Sequence, residues 1–163
     1  MTGAKIVRCS VLLLVVGLAL GCGGPRKPSE AAGGMDSKRS VGEQCLADAD
    51  ARYQPRADAP NRIDIEHILI RHAGVANPGE VTRTPEEACL RGLEAWQKLQ
   101  DGADWDAIAE EYSEARGAAG GRLSRVSAEE LDDDFAAVAF SLEENELSYV
   151  VKTKRGFHLI LRR

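Results

Sequence analysis

The run IDIEHILIRHAG, residues 63–74, alternates with the period of a β-strand. Ile63, Ile65, His67 and Leu69 fall on one face, and Asp64, Glu66, Ile68 and Ile70 on the other. An imidazole thus interrupts an apolar row. Downstream the period becomes helical. TRTPEEACLRGLEAWQKLQDG opens with Thr84 as N-cap, Pro85 at the first helical position and Glu87 three residues after the cap, the pattern of a capping box. Ala88, Gly92, Ala95, Trp96 and Leu99 form its apolar face, and Gly102 ends it. DWDAIAEEYSE predicts a second helix, capped by Asp104, with Trp105, Ile108, Ala109 and Tyr112 on one side. SAEELDDDFAAVAFSL predicts a third, with Leu131, Phe135, Val138, Ala139 and Leu142 as its stripe and Asn145 at a left-handed C-terminal position. ELSYVVKT and GFHLILRR then predict two strands joined through Lys154, Arg155 and Gly156 as a hairpin. The order from residue 62 is β, α, α, a glycine-rich segment, α, β, β. That is one α+β domain of about 100 residues, enough for a single modest core.

The first 61 residues have a different texture. MTGAKIVRCSVLLLVVGLALGC carries Lys5 and Arg8, an apolar run from Val11 to Leu20, then Gly21 and Cys22. This predicts a secretory signal over residues 1–21, too short in its apolar part for a membrane span. LALGC resembles a bacterial lipobox, which makes Cys22 the expected lipidated N-terminus of the mature chain; an uncleaved anchor and an ordinary signal cleaved elsewhere are the alternatives. From Cys22 to Asn61, glycine, proline, serine and charge dominate both ends of the segment, as in a flexible tether. A short helix is expected around Val41 to Tyr53.

Without Lys5 and Arg8 the chain has 19 basic against 26 acidic residues, about −7, with no basic block. Nucleic acid is therefore not an expected partner, because phosphate neutralisation needs clustered Lys and Arg. In an oxidising periplasm Cys45 and Cys89 either pair or remain two separate thiols. No ligand spacing supports a metal among His67, His72 and Cys89, and His72 is expected in a solvated loop.

His158, in GFHLI, repeats the anomaly of His67: an imidazole inside an otherwise apolar terminal strand. Two such histidines in one small sheet can lie side by side. Here the chain resembles the parvulin family of peptidyl-prolyl isomerases, from about Arg62 to Arg163. EHILI resembles that family's opening strand. GADWDAIAEEYSE resembles its Gly-x-x-Phe…Tyr-Ser block, with Trp105 in the phenylalanine's place. GGRL at Gly120–Leu123, FAAVAFSLEENELS and VVKTKRGFHLI resemble its later blocks, with Asn145 replacing a glycine. The resemblance implies a β-α-α-β-α-β-β fold with a small mixed or antiparallel four-stranded sheet wrapped by helices. It implies His67, His158 and Thr153 as the catalytic network, and Leu123, Val126, Leu131 and Phe135 as the lining of a proline cup. It implies no cofactor and no metal, and proline-containing unfolded or extended polypeptides as partners of a monomer. With the signal and lipobox, the expected place is a bacterial cell envelope, anchored by lipid and facing the periplasm.

Physics supports that chemistry. A prolyl amide interconverts slowly because rotation breaks C–N resonance, with a barrier of ~18–20 kcal/mol. Catalysis needs a dry apolar cup and polar groups favouring the twisted amide, without covalent attack. Some residues depart from the family pattern. Ala115 stands where the family typically has cysteine or aspartate, with Glu114 expected near the same space, and Val126 replaces a larger aromatic. The stretch between His72 and Thr84 lacks a Lys/Arg cluster, which argues against phosphorylated substrates. Two readings follow: an isomerase, or a peptide-binding chaperone module with little catalysis.

Overall fold

The computed structural model describes residues 39–115 and 121–163. The expected signal, Cys22, the first part of the expected tether and residues 116–120 lie outside the described residues. Four helices and four strands follow in the order α1 (Val41–Ala49), β1 (Ile63–Ile70), α2 (Pro85–Gln100), α3 (Trp105–Tyr112), β2 (Arg122–Val126), α4 (Asp133–Ala139), β3 (Val151–Thr153) and β4 (Gly156–Arg162). The strands form one sheet in the order β2-β1-β4-β3, and every neighbouring pair is antiparallel. From β1 onward this is the expected fold, with its sheet wholly antiparallel.

Local chemistry explains the helix starts. Thr84 and Glu87 close the capping box of α2, each side chain accepting from the other's backbone N–H. The Asp104 carboxylate accepts from the Ala107 N–H at the start of α3. Asn145 adopts the expected left-handed state, φ 63°, but in a turn beyond the end of α4 at Ala139 rather than at the helix terminus. The predicted third helix is shorter. A 3₁₀ turn spans Ala128–Glu130, Leu131 is extended (φ −115°, ψ 160°), and α4 starts after Asp132. Ser127 and Glu130 hold the first turn through the Glu130 carboxylate, while Asp133 and Asp134 favour a fresh helix N-terminus. Leu131 therefore does not share a helical stripe with Phe135.

The sheet has a core on each face. Ile68, Ile70, Phe157 and Leu159 pack under α1, α2 and α3 with Trp96, Trp105, Ile108 and Tyr112. On the other face Ile63, Ile65, Val151 and Ile160 pack under α4 with Phe135, Val138, Ala139, Phe140 and Leu142. Glu66, on the first of these faces, is 6% exposed and bonds Arg122 and Arg163 at 2.7 Å each.

Part of the stretch expected as tether, residues 40–49, belongs to the folded body. Ser40 and Glu43 form a capping box, and the Cys45–Cys89 disulfide fastens α1 to α2. Cys45 and Ala49 are 2% and 1% exposed, inside the core of the first face. A tether is a stretch that cannot bury apolar surface; this one does, so the folded body includes α1. No described helix is long and apolar enough to cross a membrane.

Candidate active site

His67 lies on β1 and His158 on the adjacent β4. Their register (Leu69 opposite His158, His67 opposite Ile160) makes them diagonal neighbours on the α4 face. The imidazole centroids are 5.8 Å apart, tilted by 39°. The two-residue turn Lys154–Arg155 brings Thr153 opposite Gly156, so its hydroxyl reaches across the hairpin to His158 Nε2 at 2.9 Å. The Arg155 N–H donates to the same hydroxyl at 3.1 Å. Phe135 descends from α4 and meets both imidazoles edge-on, at 5.4 Å from His67 and 5.1 Å from His158. Leu123 and Val126 on β2 and Leu131 before α4 are partly buried against the same cluster. The seven residues expected to act together are one neighbourhood, with the hydrogen bond running between His158 and Thr153 and the His67–His158 pair meeting as rings.

Burial decides the charge state. His158 is 3% exposed, and its pKa is pushed down to about 3, by desolvation first, then by His67 and the Arg155 guanidinium, against a weaker pull from Asp132. His67 is half-buried and is also lowered, mainly by desolvation; the backbone at Gly121 opposes this and Arg155 reinforces it. Both imidazoles are therefore neutral at neutral pH. Gly121 has φ 62°, and a Cβ there would stand 2.1 Å from the His67 carbonyl oxygen, so only glycine lets β2 begin this close to β1.

The structure corrects two expectations at the site. Phe135, expected to line an open cup, is only 7% exposed, because it packs into the core under α4 as well as against both imidazoles. The Glu114 carboxylate does not enter the Ala115 space. It accepts from the Arg71 N–H at 2.6 Å and pairs with Arg83. Ala115 thus contributes a methyl where the family has a polar group. His72 sits after β1 with Nδ1 accepting from the Gly74 N–H at 3.0 Å. Cys89 is in the disulfide, and no three metal-ligating side chains cluster among the described residues.

Two residues escaped the sequence reading. Asp132 accepts from Arg155 Nε at 2.6 Å and also pairs with Lys154. It therefore ties the start of α4, which carries Phe135, to the hairpin that carries Thr153 and His158. An aspartate before a helix and an arginine in a turn have ordinary local roles, so no periodicity would have joined them.

A four-stranded antiparallel sheet with a neutral histidine pair, a strand hydroxyl and an apolar floor defines a parvulin-type domain. Residues 51–161 match the PPIC-type PPIase domain profile, and the chain belongs to that family of peptidyl-prolyl cis-trans isomerases. It is 32% identical over 134 residues to the peptidyl-prolyl cis-trans isomerase PIN4 of Gibberella zeae, covering 79% of this chain and 88% of that one. It is 42% identical over 69 residues to the foldase protein PrsA of Oceanobacillus iheyensis, covering 41% of this chain but only 23% of PrsA. Among solved structures, the PPIase domain of TbPar42 superposes with TM-score 0.55 at 27% identity, covering 61% of this chain and 98% of that one.

Proposed function

We propose that this isomerase acts on exported or unfolded polypeptides at the surface of a bacterial envelope membrane, with a lipid on Cys22 as its anchor. The observation that carries the catalytic part is the quartet of Phe135, His67, His158 and Thr153. A planar prolyl amide is polar because of its C–N resonance; the twisted amide loses that resonance and part of its dipole. An apolar floor flanked by two neutral imidazoles solvates the planar form poorly, and so narrows the gap to the twisted one. Leu123, Val126 and Leu131 present partly exposed apolar surface for the proline ring. His67, half-buried, is the member of the quartet placed to meet substrate, and Phe135, 7% exposed, backs it. Thr153 and His158, 7% and 3% exposed, act as positioning residues that hold His67 and Phe135 in place.

The envelope assignment draws on the N-terminal signal pattern and LALGC. A Cys45–Cys89 disulfide is also in keeping with an oxidising compartment. Similarity to a protein named a foldase supports substrates still in the course of folding. The test is a protease-coupled isomerisation assay on a panel of Xaa-Pro peptides, with Cys22→Ser examined by fractionation and acyl labelling. Cys22→Ser should release the chain from membranes or leave it as a precursor. Unchanged attachment with no acyl label on Cys22 would refute the anchor. The second reading, a peptide-binding module, is favoured by the methyl of Ala115 and the small Val126. Retained peptide binding with no acceleration of any Xaa-Pro bond would establish it.

A further inference from the structure

Beside the quartet, an open groove of about 430 Å³ runs along β3, the edge strand of the sheet. One wall is α4, through Asp134, Ala137 and Val138; the other is the chain from Ala49 to Gln54, after α1. Its base is β3 itself, Val151 to Thr153. The hairpin register fixes what that base presents. Thr153 and Gly156 flank a two-residue turn and form a hydrogen-bonded pair, so the next pair, Lys152 and Phe157, is a non-hydrogen-bonded one. The N–H and C=O of Lys152 therefore point away from β4, into the groove. Residues 50–54 flank this edge, yet among the described residues no backbone hydrogen bond joins them to β3. The Lys152 side chain reaches across instead, to Asp50 at 3.2 Å.

We propose that the β3 edge is a second binding site, which takes the extended backbone of the same polypeptide whose proline occupies the cup. An outward N–H and C=O on a strand edge select an extended main chain whatever its side chains. Adjacency to the cup points to the substrate itself. Thr153 lines the groove and bonds His158, and Val138 and Val151 line it while packing in the Phe135 cluster. The inference takes its substrate class from the function proposed above, but its chemistry needs only that the chain binds polypeptide.

The probes are a fluorescent 20-residue proline-containing peptide, a tetrapeptide with the same Xaa-Pro centre, and the 20-residue peptide with alternate flanking amides N-methylated. Affinity is measured as well as turnover, so a chain that binds without isomerising still gives an answer. The unmodified long peptide should bind about tenfold more tightly than the tetrapeptide, and N-methylation should remove that advantage. Lys152→Pro deletes an N–H that no strand uses, a substitution edge strands tolerate, and should reduce the long-to-short affinity ratio toward one. Lys152→Ala loses the ion pair with Asp50 but keeps the N–H, and should hold the ratio within about twofold. If Lys152→Pro does not fold, Ala137→Arg, which fills the groove from α4, should lower the ratio in its place. Equal ratios for Lys152→Pro and Lys152→Ala in folded protein, or an N-methylated peptide that binds as well as its parent, would overturn the site and leave Lys152 as a charged guard against edge pairing. Isomerisation of the tetrapeptide with no length advantage would sink this inference alone; a length advantage without isomerisation would sink only the catalytic reading.

Discussion

Thr153 holds three partners with one hydroxyl: His158 Nε2, the Arg155 N–H and, at 3.5 Å, the Gly156 carbonyl. Thr153→Val keeps the shape and removes all three. Leaving buried polar groups without a partner costs about 1–3 kcal/mol, so the urea midpoint should fall accordingly. Isomerase activity should fall further, since His158 is then free to rotate under Phe135. Phe135 poses the converse question. With its ring 7% exposed, Phe135→Ala should open a cavity costing roughly 3–5 kcal/mol, so lost activity in that variant does not isolate a role in binding. Phe135→Leu is the cleaner probe. It retains most of the volume but not the two edge-on ring contacts, so we expect a much smaller midpoint shift with a severe loss of turnover. Full activity in folded Phe135→Leu would show that any apolar floor suffices.

At the scale of elements, the disulfide between α1 and α2 is the covalent link among the described residues. It closes a loop of sequence separation 44, for which loop-closure entropy gives about 3–4 kcal/mol of stabilisation. The pair Cys45→Ala and Cys89→Ala, or reductant on the native chain, should lower the unfolding midpoint by that order. Because α1 leads directly into residues 49–54, which form one wall of the groove, it should also speed proteolysis in residues 39–61. How far each element could be read from the chain follows from where its information lies. Thr84 and Asp104 act within a turn or so of themselves, and their helix starts were legible; Asn145 takes the expected left-handed state, but past the end of α4 at Ala139, so the helix end was not. So was the meeting of His67 and His158, because an imidazole in an apolar row is a visible anomaly and the family order paired the two strands. The hold of α1 on the core was not. Ser40-Val-Gly-Glu43 is a complete capping box, but it stands amid glycine, serine and charge, and the disulfide that fixes the helix is a tertiary fact. Leu131 was misplaced because a leucine four residues before Phe135 fits a helical stripe whether or not three aspartates restart the helix. The Asp132–Arg155 link was out of reach for the same reason as the disulfide.

For the whole molecule, the depressed histidines set how stability responds to pH. An unfolded chain protonates both imidazoles near pH 6.5, whereas folded His158 resists protonation down to about pH 3 and folded His67 is also lowered. Between those limits the unfolded state binds more protons, so stability must fall as pH falls, on the order of 1.4 kcal/mol per pH unit for His158. Urea midpoints from pH 7 to pH 4 should decline steadily, and His158→Leu should flatten the slope. An unchanged slope in that variant would place the lost protons elsewhere. The disulfide has one more consequence, for reach. If lipid on Cys22 is the anchor, the chain from it to the body has to reach only the helix cap at Ser40, not Asn61. Eighteen residue steps in place of 39 put an upper bound of about 60 Å, not about 130 Å, on the distance from lipid to cap. A bond between two helices would thus fix how far from the bilayer the cup can fish, and cutting it would lengthen the line.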